Sequence, residues 1–225
     1  MQKIGHRGAK GHITENTLDS FEKAIHLQVD AIELDVHVCA SGELVVFHDF
    51  TLERLTNAEG EISKFTLQQL RELKILDTYH IPTLIETLDL IDKRCKINIE
   101  LKGHDTAQPT ASLIEYYVQK KGWQYSDFIV SSFQYEELKT FSHLHSKIPL
   151  AVLTQASVEQ AIEWAKKFNA SYIHPHFSLL TTDNCNFAKQ NKLKINTWTV
   201  NDSIDIEHVK RFTIEGIISD FPDRI

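Results

Sequence analysis

The sequence lacks the features that mark membrane, secreted and nucleic-acid-binding proteins. No apolar run approaches the roughly 20 residues that cross a bilayer, and the opening residues, MQKIGHRGAKG, contain no apolar signal-peptide core. Basic residues are in deficit: 24 Lys and Arg stand against 31 Asp and Glu, giving a formal net charge of −7. Because nucleic acids and anionic membranes bind to basic surfaces, we expect no nucleic-acid partner and no integral membrane association.

Cysteine is also scarce. Cys39, Cys95 and Cys185 are far apart, odd in number, and form no Cys-x-x-Cys pair. This pattern argues against a disulfide framework or a zinc site and is typical of a reducing compartment. We therefore predict a cytoplasmic location.

The most informative stretch runs from residue 30 to residue 49, DAIELDVHVCASGELVVFHD. Its first half alternates apolar and polar residues with the period of a β-strand, and the polar face carries Glu33 and Asp35. Carboxylates two residues apart on one strand face lie roughly 6–7 Å from each other. At an effective dielectric of about 20 they repel by about 3 kcal/mol. A divalent cation between them would turn this cost into binding.

A hairpin is predicted to bring a histidine beside the two carboxylates. After a short turn-like segment, a second apolar run, VVF, ends in His48. So short a connection cannot form a parallel crossover, so the two runs should pair antiparallel and place His48 level with Glu33 or Asp35. An imidazole beside a metal site of paired carboxylates is suited to phosphoryl chemistry.

Strand and helix patterns alternate along the chain. Apart from the returning arm of the hairpin, strands are predicted near residues 4, 33, 98, 130, 150, 172, 196 and 217. Eight strands alternating with helices favour an α/β fold, a closed (β/α)8 TIM-type barrel, over an open doubly wound sheet. We interpret residues 1–225 as a single domain, with a small insertion at about residues 50–82 after the hairpin of the second strand.

Several helices carry recognisable signals at their ends. Thr66, Thr83 and Ser157 each precede an amphipathic segment and have Gln or Glu three residues later, which predicts a capping box. Thr17 is predicted to begin an earlier helix. Another helix is predicted over residues 111–121, ended by Gly122.

Catalytic groups of a parallel barrel lie at the carboxyl ends of its strands. The predicted strands end in polar or aromatic residues: His6 and Arg7, Glu33 and Asp35, Glu100 and Lys102, Ser131 and Ser132, His174, Trp198, and Ser219 and Asp220. The sequence therefore gathers polar groups where the fold would place an active site.

The motifs HRG, ENT, IELDV, VVFHD and IELK follow one another over residues 4–102, and SSF, TWTVN and ISDFP follow later. In this order and spacing they resemble the glycerophosphodiester phosphodiesterase family. The resemblance implies a (β/α) barrel, one divalent cation (Mg²⁺ or Ca²⁺), and hydrolysis of a small-molecule glycerophosphodiester to glycerol 3-phosphate and an alcohol. The chain departs from the family pattern at Thr14, at Ser41-Gly42 and at Leu55-Thr56, all outside the expected site.

The resemblance also implies roles for individual residues. The metal ligands would be Glu33, Asp35 and Glu100. The acid–base pair would be His6 and His48. The phosphate or substrate ligands would be Arg7, Lys102 and Glu15. Glu15 has an alternative role in orienting Arg7 or the start of a helix. Trp198 is predicted to form an apolar wall for the substrate, with core packing as the alternative.

Several alternatives stay open at the level of sequence. Either histidine could be the acid, and the nucleophile could be water or the 2-hydroxyl of the substrate glycerol, which would give a cyclic phosphate. The alternative functions are a related barrel phosphodiesterase acting on inositol or lysophospholipid substrates and a catalytically inactive binding barrel. Headgroup preference and assembly into a homo-oligomer are also open.

Overall fold

Strands and helices alternate through the computed structural model, which describes residues 1–225. The strands are β1 (Gln2–His6), β2 (Ala31–Val38), β3 (Leu44–Val46), β4 (Lys96–Leu101), β5 (Phe128–Ser132), β6 (Leu150–Thr154), β7 (Tyr172–Pro175), β8 (Lys194–Thr197) and β9 (Gly216–Ser219). The α-helices are α1 (Leu18–His26), α2 (Leu67–Glu72), α3 (Leu84–Ile91), α4 (Ala107–Lys120), α5 (Tyr135–Leu144), α6 (Val158–Lys167), α7 (Thr182–Gln190) and α8 (Ser203–Val209). None of these helices combines the length and the apolar character needed to span a bilayer.

Eight of the strands close into a parallel barrel. Their order around the barrel is β1, β2, β4, β5, β6, β7, β8 and β9, and β1 pairs in parallel with both β2 and β9. The remaining strand, β3, pairs antiparallel with β2, with Val46 opposite Val36. The predicted (β/α)8 barrel and its returning hairpin are therefore confirmed, and the open doubly wound sheet is excluded.

The alternation within β2 decides which side chains enter the barrel. Ile32 and Leu34 point outward into the main hydrophobic core, where they join Phe21 of α1 and Leu88 of α3. The alternate residues Glu33, Asp35 and His37 lie on the opposite, inner face of the strand, and all three are buried. The apolar outer face stabilises the barrel and leaves the inner face free for chemistry.

Helix capping follows the sequence signals closely. Thr17 caps α1, and Thr66 and Thr83 form complete capping boxes on α2 and α3. The Ser157 hydroxyl accepts the backbone N–H of Gln160 at 3.1 Å and donates to Glu159 instead of completing the predicted box. Helix capping at this position therefore uses only half of the motif.

The start of α4 differs from the prediction. The helix begins at Ala107, about one turn before residue 111, and includes Pro109 in its first turn. Proline is tolerated there because the first N–H groups of a helix have no intrahelical partner. The predicted start at residue 111 was therefore wrong, whereas the end of the helix just before Gly122 is confirmed.

The segment between β3 and α3 forms a small core of its own against the hairpin. Leu52, Ile62 and Leu70 of this segment are buried with Val45 and Phe47 of the hairpin. The backbone N–H of Val46 also donates to the carbonyl of Pro82 at 2.8 Å. The insertion is thereby attached to the outer side of β3, next to the carboxyl end of the barrel.

Candidate active site

A cavity of about 400 Å³ opens at the carboxyl ends of the barrel strands. Its charged and titratable lining is His6, Arg7, Glu33, His48, Glu100 and Lys102. Its neutral lining is Asn98, Phe133, Leu153, Gln155, Trp198 and Ile218. Every residue proposed from the sequence for the site lines this cavity except Asp35 and Glu15, and both of those contact Arg7.

Three carboxylates converge at one side of the cavity. Glu33, Asp35 and Glu100 each place a carboxylate oxygen within 4.8 Å of the other two, and all three residues are buried. The pairing of β2 with β4 sets Asp35 directly beside Glu100. Two neighbouring strands are therefore enough to build the cluster.

The protonation of these carboxylates depends on a compensating positive charge. Burial, reinforced by Asp35, raises the pKa of Glu100 to about 7, and burial raises the pKa of Glu33 well above its usual range. Burial also opposes ionisation of Asp35, but the charges of Arg7, His48 and Lys102 outweigh it and hold the pKa below its usual value. A divalent cation would allow all three groups to ionise. Three hard oxygen donors without sulfur or imidazole fit Mg²⁺ or Ca²⁺.

The Arg7 backbone and side chain both contact the carboxylate cluster. Arg7 adopts a positive φ of 49° and is followed by Gly8 at 89°. In this turn the Arg7 N–H donates to Glu33 at 3.0 Å, and Nε lies 3.4 Å from Asp35. The guanidinium is thus held within the cavity wall. Across the cluster, Lys102 Nζ lies 3.1 Å from Glu100.

Each cavity histidine is paired with its own aspartate. Nδ1 of His6 lies 2.6 Å from Oδ1 of Asp220, and Nδ1 of His48 lies 2.6 Å from Oδ1 of Asp49. A carboxylate can only accept in these bonds, so Nδ1 carries the proton and Nε2 of the neutral ring is left as an acceptor. Burial lowers the pKa of both imidazoles below the usual 6.5.

The aspartate partners were not assigned a role from the sequence. Asp49 follows His48 directly, and Asp220 had been placed only at the end of the last strand. Because β9 pairs with β1, this strand end lies beside His6 once the barrel closes. In a predicted barrel, an acidic residue at the end of the last strand is therefore a candidate partner for a histidine at the end of the first strand, because these two strands are neighbours.

The insertion contributes an arginine that sequence reasoning also missed. Arg54 donates to Glu15 at 2.7 Å and forms a second ion pair with Asp49. Glu15 in turn accepts from Arg7 at 2.7 Å. Burial opposes ionisation of Glu15, but Arg54 and Arg7 together hold its pKa well below the usual range. Glu15 therefore stands behind Arg7 and links it to Arg54.

Two further contacts complete the surroundings of the cluster. Asn16 donates to Asp35 at 2.9 Å and so orients a carboxylate that was predicted as a metal ligand. Trp198 packs edge-to-face on Phe133, with ring centroids 5.4 Å apart, and its indole N–H donates to the carbonyl of His174 at 2.7 Å. Trp198 thus lines the cavity and packs against the apolar barrel interior at the same time.

Comparison with known proteins agrees with this geometry. The sequence profile of the glycerophosphoryl diester phosphodiesterase family matches residues 6–224. A glycerophosphodiester phosphodiesterase from Bacillus altitudinis is 35% identical, with 100% of this chain and 96% of the relative aligned. One from Caldanaerobacter subterraneus is 31% identical, with 99% and 95% aligned.

A solved structure shares the whole fold. The phosphodiesterase of Oleispira antarctica, in complex with the product sn-glycerol-3-phosphate, superposes with a TM-score of 0.89. It is 27% identical, and the alignment covers 100% of this chain and 95% of that one. These matches confirm the resemblance and the enzyme class inferred from the motifs: the chain is an enzyme belonging to the glycerophosphoryl diester phosphodiesterase family.

Proposed function

We propose that this enzyme hydrolyses glycerophosphodiesters to glycerol 3-phosphate and an alcohol, with a bound divalent cation and His6 and His48 as the proton-transfer groups. The observation that carries the proposal is the meeting of two His–Asp pairs and three buried carboxylates around one cavity. The product complex of the Oleispira antarctica relative supports the choice of substrate class.

Glu33, Asp35 and Glu100 would hold the cation, because their oxygens are close together and burial opposes the ionisation of all three groups, which a bound cation would offset. When bound, Mg²⁺ or Ca²⁺ supplies Lewis-acid stabilisation of the negative charge that develops on phosphate oxygens. Asn16 fixes the orientation of Asp35 through its 2.9 Å hydrogen bond. Such supporting bonds keep a ligand carboxylate in place between turnovers.

Arg7 and Lys102 bind the non-bridging oxygens of the phosphodiester. Arg7 offers a planar fork of donors, which suits two phosphate oxygens. Glu15 is a positioning residue in this scheme because it holds Arg7 at 2.7 Å and does not line the cavity. As phosphorus becomes five-coordinate, the two cationic side chains stabilise the added charge.

The two histidines exchange protons with the substrate through Nε2. One ring, neutral, accepts the proton of the attacking hydroxyl as its oxygen bonds to phosphorus; the other, protonated, donates to the leaving alkoxide as its P–O bond breaks. Asp220 and Asp49 stabilise the imidazolium form on their respective rings. Attack by the substrate 2-hydroxyl would give a cyclic phosphate, which water opens with the two histidine roles exchanged. Direct attack by water is the alternative route.

Trp198 and Phe133 form an apolar wall of the cavity, against which the carbon skeleton of the substrate packs. Lysophospholipids remain a second candidate class because Phe50 and Leu76 of the insertion are 45% and 55% exposed. An inactive binding barrel is not supported, since all the proposed catalytic groups are present together. The cytoplasmic location and assembly into a homo-oligomer stay predictions from the sequence.

A coupled assay for released glycerol 3-phosphate tests the proposed function. The panel contains glycerophosphodiesters of choline, ethanolamine, glycerol and inositol, each with Mg²⁺, with Ca²⁺ and with EDTA. A lysophosphatidylcholine is tested under the same conditions by release of choline, because its phosphate product keeps the acyl chain and is not glycerol 3-phosphate. We expect release from at least one water-soluble glycerophosphodiester and its loss in EDTA. Absence of release from every substrate would contradict the activity, whereas full activity in EDTA would contradict only the cation.

A further inference from the structure

Asn98 has a buried carboxamide without any hydrogen-bond partner. The residue is 2% exposed, and neither its side-chain nitrogen nor its side-chain oxygen is within hydrogen-bond reach of a protein group. Burying an amide without partners is unfavourable because its hydrogen bonds to water are lost and not replaced. Nearly all buried polar groups in folded proteins are paired with protein or ordered water, so these two atoms are available to a polar ligand.

The position of Asn98 connects it to the substrate. Asn98 lies on the inner face of β4, two residues before Glu100, and pairs in register with Glu33. It lines the catalytic cavity and is the only neutral cavity residue with buried polar atoms that lack a partner. Because parallel strands run toward the site, Asn98 lies deeper in the barrel than Glu100 and forms part of the cavity floor.

The surroundings of this floor restrict what the carboxamide can bind. The neutral groups Leu153, Trp198 and Ile218 share the cavity with it. Asn98 itself lies beside Glu33 in the pairing of β2 with β4, whereas Arg7 and Lys102, which would bind a phosphate, contact Asp35 and Glu100. A buried carboxylate next to Asn98 disfavours a second anion there, so the ligand of the floor is a small neutral group attached to the phosphate. A carboxamide offers one acceptor and two donor hydrogens, which complement a hydroxyl group that both donates and accepts.

We propose that Asn98 binds a hydroxyl of the substrate glycerol and so selects glycerol phosphates over phosphates that lack this hydroxyl. This inference rests on the proposed function and adds a specificity-determining residue to it. On binding, the carboxamide would form two hydrogen bonds to the hydroxyl, which would replace a bound water or satisfy atoms that had no partner. A ligand without the hydroxyl leaves the buried amide unpaired, which is the basis of strong rejection by a polar site.

Binding of the product and its deoxy analogues tests this inference without turnover. Isothermal titration of the cation-loaded enzyme compares glycerol 3-phosphate with 2-hydroxypropyl phosphate and 3-hydroxypropyl phosphate, each of which lacks one glycerol hydroxyl. We expect wild type to bind at least one analogue about 10- to 100-fold more weakly, the range set by one unpaired buried group. Asn98→Leu, which is similar in volume, should bind the three ligands with affinities that agree within about 3-fold, below the effect of one hydrogen bond.

Titration of Mg²⁺ or Ca²⁺ alone separates this role from direct cation binding. Asn98→Leu should retain the cation affinity of wild type; a loss of about 10-fold or more, the scale of a disturbed metal site, would make Asn98 a cation ligand and overturn the inference. Should Asn98→Leu fail to fold, Asn98→Ala replaces it. Equal binding of all three ligands by wild type would overturn the inference even if glycerophosphodiesters are hydrolysed. Discrimination without hydrolysis would contradict the proposed function and leave the hydroxyl site standing.

Discussion

Nδ1 of His6 lies 2.6 Å from Oδ1 of Asp220, although 214 positions separate the two residues in the sequence. The contact exists because β9 pairs with β1 and closes the barrel. Asn201 holds the other oxygen of Asp220 at 2.9 Å and its amide oxygen accepts the Asp220 N–H, so the carboxylate is fixed on both sides. Formation of the His6 pair is therefore coupled to completion of the barrel.

Loss of the carboxylate at Asp220 should disable His6 while the fold is retained. Asp220→Asn removes the acceptor that holds the Nδ1–H tautomer and stabilises the imidazolium. We expect kcat to fall by about 10²- to 10⁴-fold, by comparison with the loss of an orienting aspartate in a catalytic triad. The measurement is steady-state kinetics on glycerophosphocholine or the preferred member of the substrate panel, with circular dichroism to check folding.

A second His–Asp pair near the same chain terminus provides a matched control. His12 and Asp223 lie 2.7 Å apart but do not line the catalytic cavity. Asp223→Asn should leave kcat within about 2-fold of wild type, as expected for a partly exposed ion pair of little energetic weight. Equal losses in Asp220→Asn and Asp223→Asn would mean that the effect comes from disturbance of the terminus.

Site residues on one local strand could be placed from the sequence, whereas a contact such as that of Asp220, which forms only when the barrel closes, could not. Alternation in β2 locates Glu33 and Asp35 because both lie on one local strand, and the short hairpin locates His48 for the same reason. The strand pattern then placed Glu100 and Lys102 at the same end of the barrel. Local periodicity was therefore sufficient for the barrel and for placing these residues at one end of it, whereas their roles rest on the family resemblance and stay predictions.

Contacts made only by chain closure or by the insertion could not be predicted in this way. Arg54 reaches Glu15 across 39 positions, and no periodic pattern connects them. The unpartnered state of Asn98 is a property of the packed barrel, since its residue type alone is compatible with many hydrogen-bonded positions. The start of α4 was missed because Pro109 resembles a helix boundary although it lies in the first turn.

Removal of one carboxylate from the cluster should abolish cation-dependent activity and stabilise the cation-free protein. Burial raises the pKa of Glu100 from 4.5 to about 7, so the folded state binds more protons than the unfolded state between these values. The stability of EDTA-treated protein should therefore fall as pH rises through this window. Glu100→Gln should flatten this dependence and raise Tm at pH 8 by several degrees.

Differential scanning fluorimetry at several pH values, with and without Mg²⁺ or Ca²⁺, provides the measurement. Wild type should gain stability from the cation, whereas Glu33→Gln and Glu100→Gln should gain little. Glu163→Gln, which changes an exposed carboxylate on α6, is the control and should behave as wild type. A cation-induced rise in Tm of the same size in all variants would remove these carboxylates from the proposed site.

The insertion should influence catalysis through Arg54. Arg54→Ala removes the ion pairs that hold Glu15 and Asp49, and these residues orient Arg7 and His48. We expect kcat/KM to fall by about 10-fold or more, the lower end of effects from disturbed supporting groups. Arg71→Ala, which breaks the exposed pair with Glu86 at 3.2 Å, is the control in the same insertion. Full activity of Arg54→Ala would confine the insertion to a structural role.

We propose that residues 1–225 unfold as one unit, including the insertion. Leu70 of α2 is fully buried in the small core shared with the hairpin, whereas Trp123, Trp164 and Trp198 lie outside the insertion. Leu70→Ala should lower the free energy of unfolding by about 2–5 kcal/mol, as for other buried leucines. If the chain unfolds as a single unit, the tryptophans outside the insertion report this loss as a lower urea midpoint of the fluorescence transition.

The control for this unfolding experiment is Ile204→Ala, since Ile204 is 82% exposed and should contribute little. Hydrogen exchange of peptides from residues 50–82, measured at increasing urea, provides a second probe. A fluorescence midpoint that Leu70→Ala leaves unchanged, together with early exchange of those peptides, would show that the insertion unfolds independently.

His6 and His48 should be distinguishable by the leaving group of the substrate. If one is the base and the other the acid, kcat/KM is bell-shaped in pH, with limbs that belong to the pair. Because burial lowers the pKa of both imidazoles, the acidic limb should lie below pH 6.5 in the free enzyme. Activity is lost there as protonation removes the base.

Glycerophosphocholine and a glycerol p-nitrophenyl phosphodiester then assign the roles. The choline alkoxide needs protonation as it leaves, whereas p-nitrophenolate leaves without it. Alanine at the acid should therefore slow the choline substrate by about 10²- to 10⁴-fold, the range of general acid catalysis, and affect the nitrophenyl substrate far less. Alanine at the base should slow both substrates by similar factors, because the nucleophile must lose its proton in either case. If His6→Ala and His48→Ala each slow the two substrates equally, neither histidine is a dedicated acid, and the leaving alkoxide must receive its proton from another donor.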